Sequence, residues 1–299
     1  MSNSIKDIIK NPRLLFLTFG HRGWFNWMSD EQYIRIAYRA RIGKKLDMNH
    51  PQTFNEKIQW LKLYCRKSEY TKMVDKQGAK EIVEEILGEE YIIPTLGVWD
   101  KSDDINFDQL PNQFVLKCTH DSGGLVICSD KNKLDILKAK RKLNSCLKHN
   151  FYWGQREWAY KDVKPRIIAE KYMVDESGTE LKDYKFFCFN GEVKMFKIDF
   201  DRYIEHHANY YDRNCKLLPF GEASFPPLSD RKLTIPVNIK EMILIAEKLS
   251  QGIKFIRIDL YNINGKIYFG EYTFFPASGF GKWIPEEYDK VIGAWISLD

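Results

Sequence analysis

The chain has no run of about 18 apolar residues, the length a helix needs to cross a bilayer, so no stretch reads as a membrane span. No cleavable signal segment is visible either. Its six cysteines (Cys65, Cys118, Cys128, Cys146, Cys188 and Cys215) form no Cys-x-x-Cys pair and no His/Cys metal spacing. Several lie inside apolar runs, as reduced and buried thiols do, which suits a cytoplasmic protein. Neither Gly-x-x-x-x-Gly-Lys-Ser/Thr nor Gly-x-Gly-x-x-Gly occurs, which excludes a P-loop and a Rossmann turn as phosphate holders. Lysines and arginines are scattered and no nucleic-acid motif appears, so nucleic acid is not an expected partner. Repeats and low-complexity tracts are also missing. What remains is a chain of 299 residues, 29% charged and 14% aromatic, which argues against disorder and allows a substantial core in two or three subdomains. The balance of 46 basic to 41 acidic residues gives +5, a mild bias that suits an acidic substrate.

Phe255-Ile-Arg-Ile-Asp-Leu-Tyr261 and Lys266-Ile-Tyr-Phe-Gly-Glu-Tyr-Thr273 flank Asn262-Ile-Asn-Gly265, a pattern that predicts a β-hairpin. Strand side chains alternate between faces, so Arg257 and Asp259 share one side while Ile256, Ile258 and Leu260 take the other. Glu271 and Thr273 share a face of the returning strand. Two carboxylates brought together beside an arginine make an oxygen-rich site suited to Mg²⁺, which takes one or two protein carboxylates and fills its octahedron with water and phosphate. The plain alternative is an exposed sheet face carrying an ion pair.

A second strand, Phe114-Val-Leu-Lys-Cys118, carries Lys117 in apolar company, and an ammonium buried without a partner is costly. It leads into the small-residue loop Ser122-Gly123-Gly124, where backbone N–H groups are expected to approach phosphate oxygens. Elsewhere the pattern is helical over 29–70, with Ser29-Asp-Glu opening one helix and Thr53-Phe-Asn-Glu56 forming a capping box for another. Helices are expected at 78–87, closed by Gly88, at 131–147 and at 238–250. Strands are expected at 125–128, 166–173, 183–189 and 192–200, the last two joined by Asn190-Gly191. Residues 5–28 mix aromatic and aliphatic side chains with cations. A helix packed on the protein's own core is favoured there over an interfacial anchor.

Four segments in this order resemble the ATP-grasp superfamily, in its TupA-like branch from surface-polysaccharide gene clusters. They are Val74-Asp-Lys76 with the following helix and Ile92-Ile-Pro-Thr95; Val115-Leu-Lys-Cys-Thr-His-Asp-Ser-Gly-Gly124; Ile168-Ala-Glu-Lys-Tyr172; and the hairpin. Phe54-Asn-Glu-Lys-Ile-Gln-Trp-Leu61 and Asp183-Tyr-Lys-Phe-Phe-Cys-Phe-Asn-Gly191 resemble the TupA-like branch in particular. The resemblance implies an α+β, ATP-grasp-like fold in which a nucleotide is held between two α+β units with mainly antiparallel sheets. It implies a helical N-terminal region at 1–73, a core at 74–113 and 171–299, and a flexible lid at 114–170. By the same resemblance Lys76 and Lys117 hold phosphates together with Ser122, Gly123 and Gly124, and Glu170, Lys171 and Tyr172 hold adenine and ribose. Lys185 points into the cleft, and Arg257, with Lys117, stabilises developing charge. Asp259 and Glu271 hold magnesium; the family commonly has Asn where Thr273 stands, which makes this third ligand weak.

The function so implied is an ATP-dependent carboxylate–amine ligase working through an acyl phosphate, with ATP and Mg²⁺. It would join a uronic-acid-containing sugar or glycan to an amine in capsule, teichuronopeptide or lipopolysaccharide assembly, in the cytoplasm or peripherally at the inner face of the membrane. Two alternatives stand beside it. One is a glycosyltransferase of the same pathway, using Asp199-Phe-Asp201 on one strand face for a nucleotide-sugar. The other is a non-catalytic nucleotide-binding partner, suggested by Thr273.

Overall fold

Turn chemistry and helix caps account for most of the element boundaries. The computed structural model describes residues 14–121, 123–175, 181–201, 204–231 and 233–299. Helix α1 (Leu14–His21) precedes α2 (Asp30–Ile42), which is capped by Ser29 and closed by Gly43. In α3 (Phe54–Tyr64) the expected capping box is present: Thr53 accepts from the Glu56 N–H and Glu56 accepts from the Thr53 N–H. Next come α4 (Glu69–Val74) and α5 (Lys76–Leu87). The helix expected from 131 starts later, as α6 (Ile136–Leu147), because Asp135 caps the Lys138 N–H and residues 131–133 form a separate short turn. It is followed by α7 (Phe151–Gln155). Leu17 of α1 is buried with Tyr33, Ile34 and Ala37 of α2, so this part of the N-terminal segment packs on the protein itself. Residues 5–13 of that segment lie outside the described residues.

Two antiparallel sheets organise the rest. The first has the order β1-β4-β2-β3, formed by Thr95–Trp99, Ile167–Lys171, Phe114–Cys118 and Leu125–Cys128. Strand β1, placed before the lid by the sequence division at 113/114, is hydrogen-bonded to β4 within this sheet. The second sheet has the order β10-β9-β5-β6-β7. Its strands are β5 (Asp183–Phe189), β6 (Glu192–Phe200), β7 (His207–Asp212), β9 (Phe255–Ile263) and β10 (Lys266–Thr273). A two-stranded ribbon pairs β8 (Gly221–Glu222) with β11 (Trp283–Ile284), and α9 (Tyr288–Gly293) follows. The hairpin turn of β9–β10 is tighter than expected: Asn264 and Gly265, at φ 53° and 83°, make a two-residue turn, as do Asn190 and Gly191 at 51° and 81°.

One face of the five-stranded sheet is apolar. Phe186, Phe196, Ile198, Ile256, Ile258 and Leu260 bury against Met242, Ile243 and Ala246 of α8 (Ile239–Leu249). The other face begins with Phe187, Phe189 and Phe255, against Phe54 of α3, and then turns charged. Here register matters. Phe269 pairs with Leu260, but Glu271 pairs with Asp259, so Gly270 is an extra residue on β10. Strict alternation would put Phe269 and Glu271 on the same side. The bulge at Gly270 sends Phe269 to the apolar face and Glu271 to the charged one. A Cβ on Gly270 would lie 2.9 Å from the Asp259 carbonyl oxygen, which only glycine avoids.

The first sheet is tied to α5 by charge. Glu170 on β4 is buried between Lys117 of β2, at 2.6 Å, and Lys80 of α5, which also donates to the carbonyl of Ile93 and the hydroxyl of Thr95. The resemblance put Glu170 against adenine and ribose; in the structure its carboxylate is engaged by these two lysines. Burial opposes its ionisation, yet Lys117 and Lys80 hold the carboxyl down to about 2.

Two predictions follow from these contacts. Gly270→Val is expected to lower stability by about 1–3 kcal/mol through backbone displacement at the bulge, read as the urea midpoint; a midpoint equal to wild type contradicts this account. Glu170→Gln is expected to cost about 3–5 kcal/mol at neutral pH, because two lysines lose their buried counter-charge. Since the folded carboxyl titrates below its ordinary range, this contribution is full above about pH 4.3 and fades as pH falls toward 2. The stability gap between wild type and variant should therefore narrow from pH 7 to pH 3.

Candidate active site

The charged face of the five-stranded sheet forms a register row. Glu271, Asp259, Lys185, Lys197 and Tyr210 stand opposite one another across β10, β9, β5, β6 and β7. Arg257, two residues from Asp259, lies on the same face and is bonded through Nε and Nη2. Nε and Nη2 donate to the two oxygens of Asp259 at 2.6 and 2.7 Å, and Nη2 also reaches Glu271 and Thr273 at 3.0 Å each. The Thr273 hydroxyl donates in turn to Glu271 at 3.1 Å. Lys185 donates to Asp183 at 2.7 Å and to Asp259 at 3.1 Å, and its ammonium is 3.6 Å from Asp199. Lys197 bridges Asp199 and Glu222 at 3.4 and 3.3 Å. Burial opposes the charge on Lys185 and on Arg257. In both cases the carboxylates win, Asp259 first, and the cation is held above its ordinary range. Buried ion networks are poor sources of stability, because desolvation consumes much of the Coulombic gain. Such a network in a cleft points to chemistry.

Lys76 joins this face to the other sheet. It is the first residue of α5; its backbone N–H donates to the Thr119 carbonyl, and its ammonium bonds the Asp121 carbonyl. Burial pulls its pKa down. Glu271 of one sheet, Glu170 of the other and Asp121 of the loop after β2 oppose that, while Lys117 adds to it. Lys76, Lys117, Lys185, Arg257, Asp259, Glu271 and Thr273 are therefore one neighbourhood. Lys80, one helical turn from Lys76, was missed, although the i,i+4 spacing puts both on one helix face.

The glycine loop departs from expectation. The N–H groups of Gly123 and Gly124 donate to Asp121 Oδ1 at 3.1 and 3.0 Å, so a protein carboxylate occupies the donors foreseen for phosphate. Ser122 lies outside the described residues. At the end of β4 the Lys171 N–H is taken by the Pro94 carbonyl, while Lys171 borders a cavity of about 630 Å³ that also touches Thr95, Met173 and Tyr268. Tyr172 follows β4, partly buried. His120 is structural: its Nε2 lies within hydrogen-bond distance of the Cys146 and His149 carbonyls. The Asp-x-Asp pair separates. Asp199 is buried within 2.9 Å of His206, whereas Asp201 is past the end of β6 at φ 52°, 3.7 Å from Arg231. They do not share a strand face.

The oxygen donors fit magnesium. A carboxylate offers about four lone-pair sites, and Asp259 has three filled by Arg257 and Lys185, so it can give at most one to a metal. Glu271 is half exposed, and its Oε2 has no hydrogen-bond partner among the described residues. Thr273 already serves Arg257 and Glu271. One oxygen each from Asp259 and Glu271 matches the sparse protein coordination of Mg²⁺, with Glu271 the more available. A tighter grouping, Cys118, Asp121 and Cys146, adjoins the glycine loop; burial raises both thiols, to about 12 and 11, and Asp121 Oδ1 accepts from Gly123 and Gly124.

Comparison with known proteins gives solved structures of low similarity and one family match. The D-alanine–D-alanine ligase of Bacillus anthracis complexed with ATP is 18% identical over 67% of this chain and 53% of its own, with a TM-score of 0.38. The D-alanine–D-alanine ligase of Helicobacter pylori is 13% identical over 77% and 64%, at 0.42. The ATP-grasp ligase PsnB, complexed with a phosphomimetic variant of its minimal precursor, Mg and ADP, is 9% identical over 80% and 65%, at 0.42. The chain thus spans between half and two thirds of these proteins' lengths, and the assignment rests on sequence rather than on these superpositions. No curated protein matches the chain. Residues 56–297 match the family described as TupA-like ATPgrasp, and the chain belongs to that family.

Proposed function

We propose that this chain is an ATP-dependent carboxylate–amine ligase working through an acyl phosphate. Its acid would be a uronic-acid-containing sugar or glycan and its nucleophile an amine, in surface-polysaccharide assembly. The observation that carries the reading is the meeting of Lys185 and Arg257 with the carboxylates Asp259 and Glu271, within electrostatic reach of Lys76, which also feels Lys117. Phosphoryl transfer asks for positioning and charge neutralisation more than for covalent protein chemistry, and such an array supplies both. Bound magnesium, held by Asp259 and Glu271, would draw phosphate oxygens together and neutralise their charge. Lys76 and Lys117 meet the phosphates from the lid side. Lys185 fixes Asp259 from the neighbouring strand. Arg257 orients both carboxylates and offers its guanidinium to the charge that develops as the γ-phosphoryl group moves.

The glycosyltransferase reading is weaker, since Asp199 is committed to Lys185, Lys197 and His206 and Asp201 faces elsewhere. Among the described residues no helix is long and apolar enough to cross a membrane. Cytoplasmic action is the setting that fits ATP use, with the exposed Trp24 and Trp27 available for a peripheral contact at the inner face.

Calorimetry with ATP·Mg²⁺ and with UDP-sugars tests the reading. Wild type is expected to bind ATP·Mg²⁺, and Asp259→Asn to weaken that binding at least tenfold. Binding of UDP-sugars without any response to ATP would sink the ligase assignment.

A further inference from the structure

Beside the hairpin lies a cavity of about 250 Å³, lined by Lys76, Glu157, Tyr160, Glu271, Thr273 and Ser278. Glu157, between α7 and β4, is 5% exposed. Its Oε1 accepts from the Ser278 hydroxyl, and among the described residues Oε2 has no hydrogen-bond partner and no cation within ion-pair distance. Lys62, which attracts it from further off, donates to the carbonyls of Gln155 and Ser278 at 3.1 and 2.7 Å. Burial holds this carboxyl above its ordinary range, with Lys62 and the Ser278 hydroxyl opposing, so a cation that reached Oε2 from the cavity would favour its charged form.

The loop that meets Glu157 is strained. Ala277, Ser278 and Gly279 have φ of 47°, 55° and 64°, a conformation that costs non-glycine residues energy. It is held in place by Gln59, whose Nε2 donates to the Ser278 and Gly279 carbonyls at 3.0 and 2.7 Å, and by Lys62. The outcome of that strain is a hydroxyl aimed at a buried carboxylate, with Glu271 and Thr273 across the cavity.

We propose that this cavity is the acceptor subsite of the ligase, an inference that rests on the ligase reading, and that Glu157 is a catalytic residue binding the ammonium group of a small amine. The volume lies below the roughly 300–1,000 Å³ of drug-sized pockets, which suits a nucleophile of amino-acid size rather than a glycan. In the step, one ammonium proton passes to Glu157 Oε2 and the nitrogen lone pair attacks the acyl carbon of the acyl phosphate. The C–N bond forms, the C–O bond to phosphate breaks with its electron pair leaving on phosphate, and phosphate carries away the second proton lost by nitrogen.

The test uses the full chain with ATP·Mg²⁺, D-glucuronate and D-galacturonate as acids, and glycine, L-alanine, L-glutamate and L-lysine as amines. Hydroxylamine serves as a small uncharged nucleophile that traps acyl phosphate as hydroxamate. Wild type should give hydroxamate and at least one amide by mass spectrometry. Glu157→Gln should raise the KM for that amine at least tenfold, with Glu157→Asp recovering part of the loss. A Glu157→Gln enzyme with the wild-type amine KM and kcat overturns the subsite and leaves the ligase reading standing. No hydroxamate from wild type with either acid overturns the ligase reading and the subsite with it. If Glu157→Gln does not fold, Ser278→Ala, which only frees Oε1, should raise the amine KM severalfold, and an unaltered value overturns the proposal.

Discussion

Charge neutrality under burial is the constraint around which this molecule is arranged. Asp259, Asp199, Lys197 and Glu170 are nearly inaccessible, and each has opposite charges in hydrogen-bond or ion-pair contact. An unpaired ion at any of these positions would cost several kcal/mol. The pairing dictates geometry in turn. Glu271 and Asp259 face each other across β10 and β9 only because Arg257 bonds both, and Lys185 and Lys197 across β5 and β6 with Asp199 near both, so register on the charged face matters as it does on the apolar one. The aromatic layer of Phe54, Phe187, Phe189 and Phe255 adjoins this array and supplies the apolar burial that offsets its desolvation.

Two local devices let a regular sheet carry such a site. The bulge at Gly270 turns Glu271 toward Asp259 without moving Phe269 out of the core. The start of α5, bonded through Lys76 to Thr119 and Asp121 and through Asp75 to Arg166 at 2.7 Å, brings the four-stranded sheet and the hairpin within electrostatic reach of one ammonium. Loop and helix end thereby behave as one unit with the sheet. The glycine loop is tied locally, its Gly123 and Gly124 N–H groups donating to Asp121.

Much of this was legible in residue order. Alternation in β5, β6 and β9 separated apolar from charged faces, the Asn-Gly pairs marked both hairpins, and the Thr53–Glu56 spacing marked the capping box. The metal-hairpin residues Arg257, Asp259, Glu271 and Thr273 do come together, and so do Lys76 and Lys117. What misled was locality. Asp199 and Asp201 are two apart and would share a strand face, but the chain leaves the strand at Phe200 and turns at Asp201. Glu170 sits where a hinge residue was expected, yet its partners Lys80 and Lys117 come from other elements. Glu157 carried no signal at all: a single carboxylate in an irregular segment looks like a solvated charge until its surroundings are known.

The sequence alone determined which elements form and which faces they bury, because helix caps, turn residues and alternation act over a few residues and need no distant partner. It also determined the kinds of side chain available for phosphate and metal chemistry. Only the tertiary structure decided which charges face each other, how the bulge reassigns a strand face, and which carboxylate is left incompletely paired. Those depend on contacts between residues far apart in the chain, such as Glu157 with Ser278 and Lys76 with Asp121, and on burial, which converts an ordinary ionisable group into one that must find a partner.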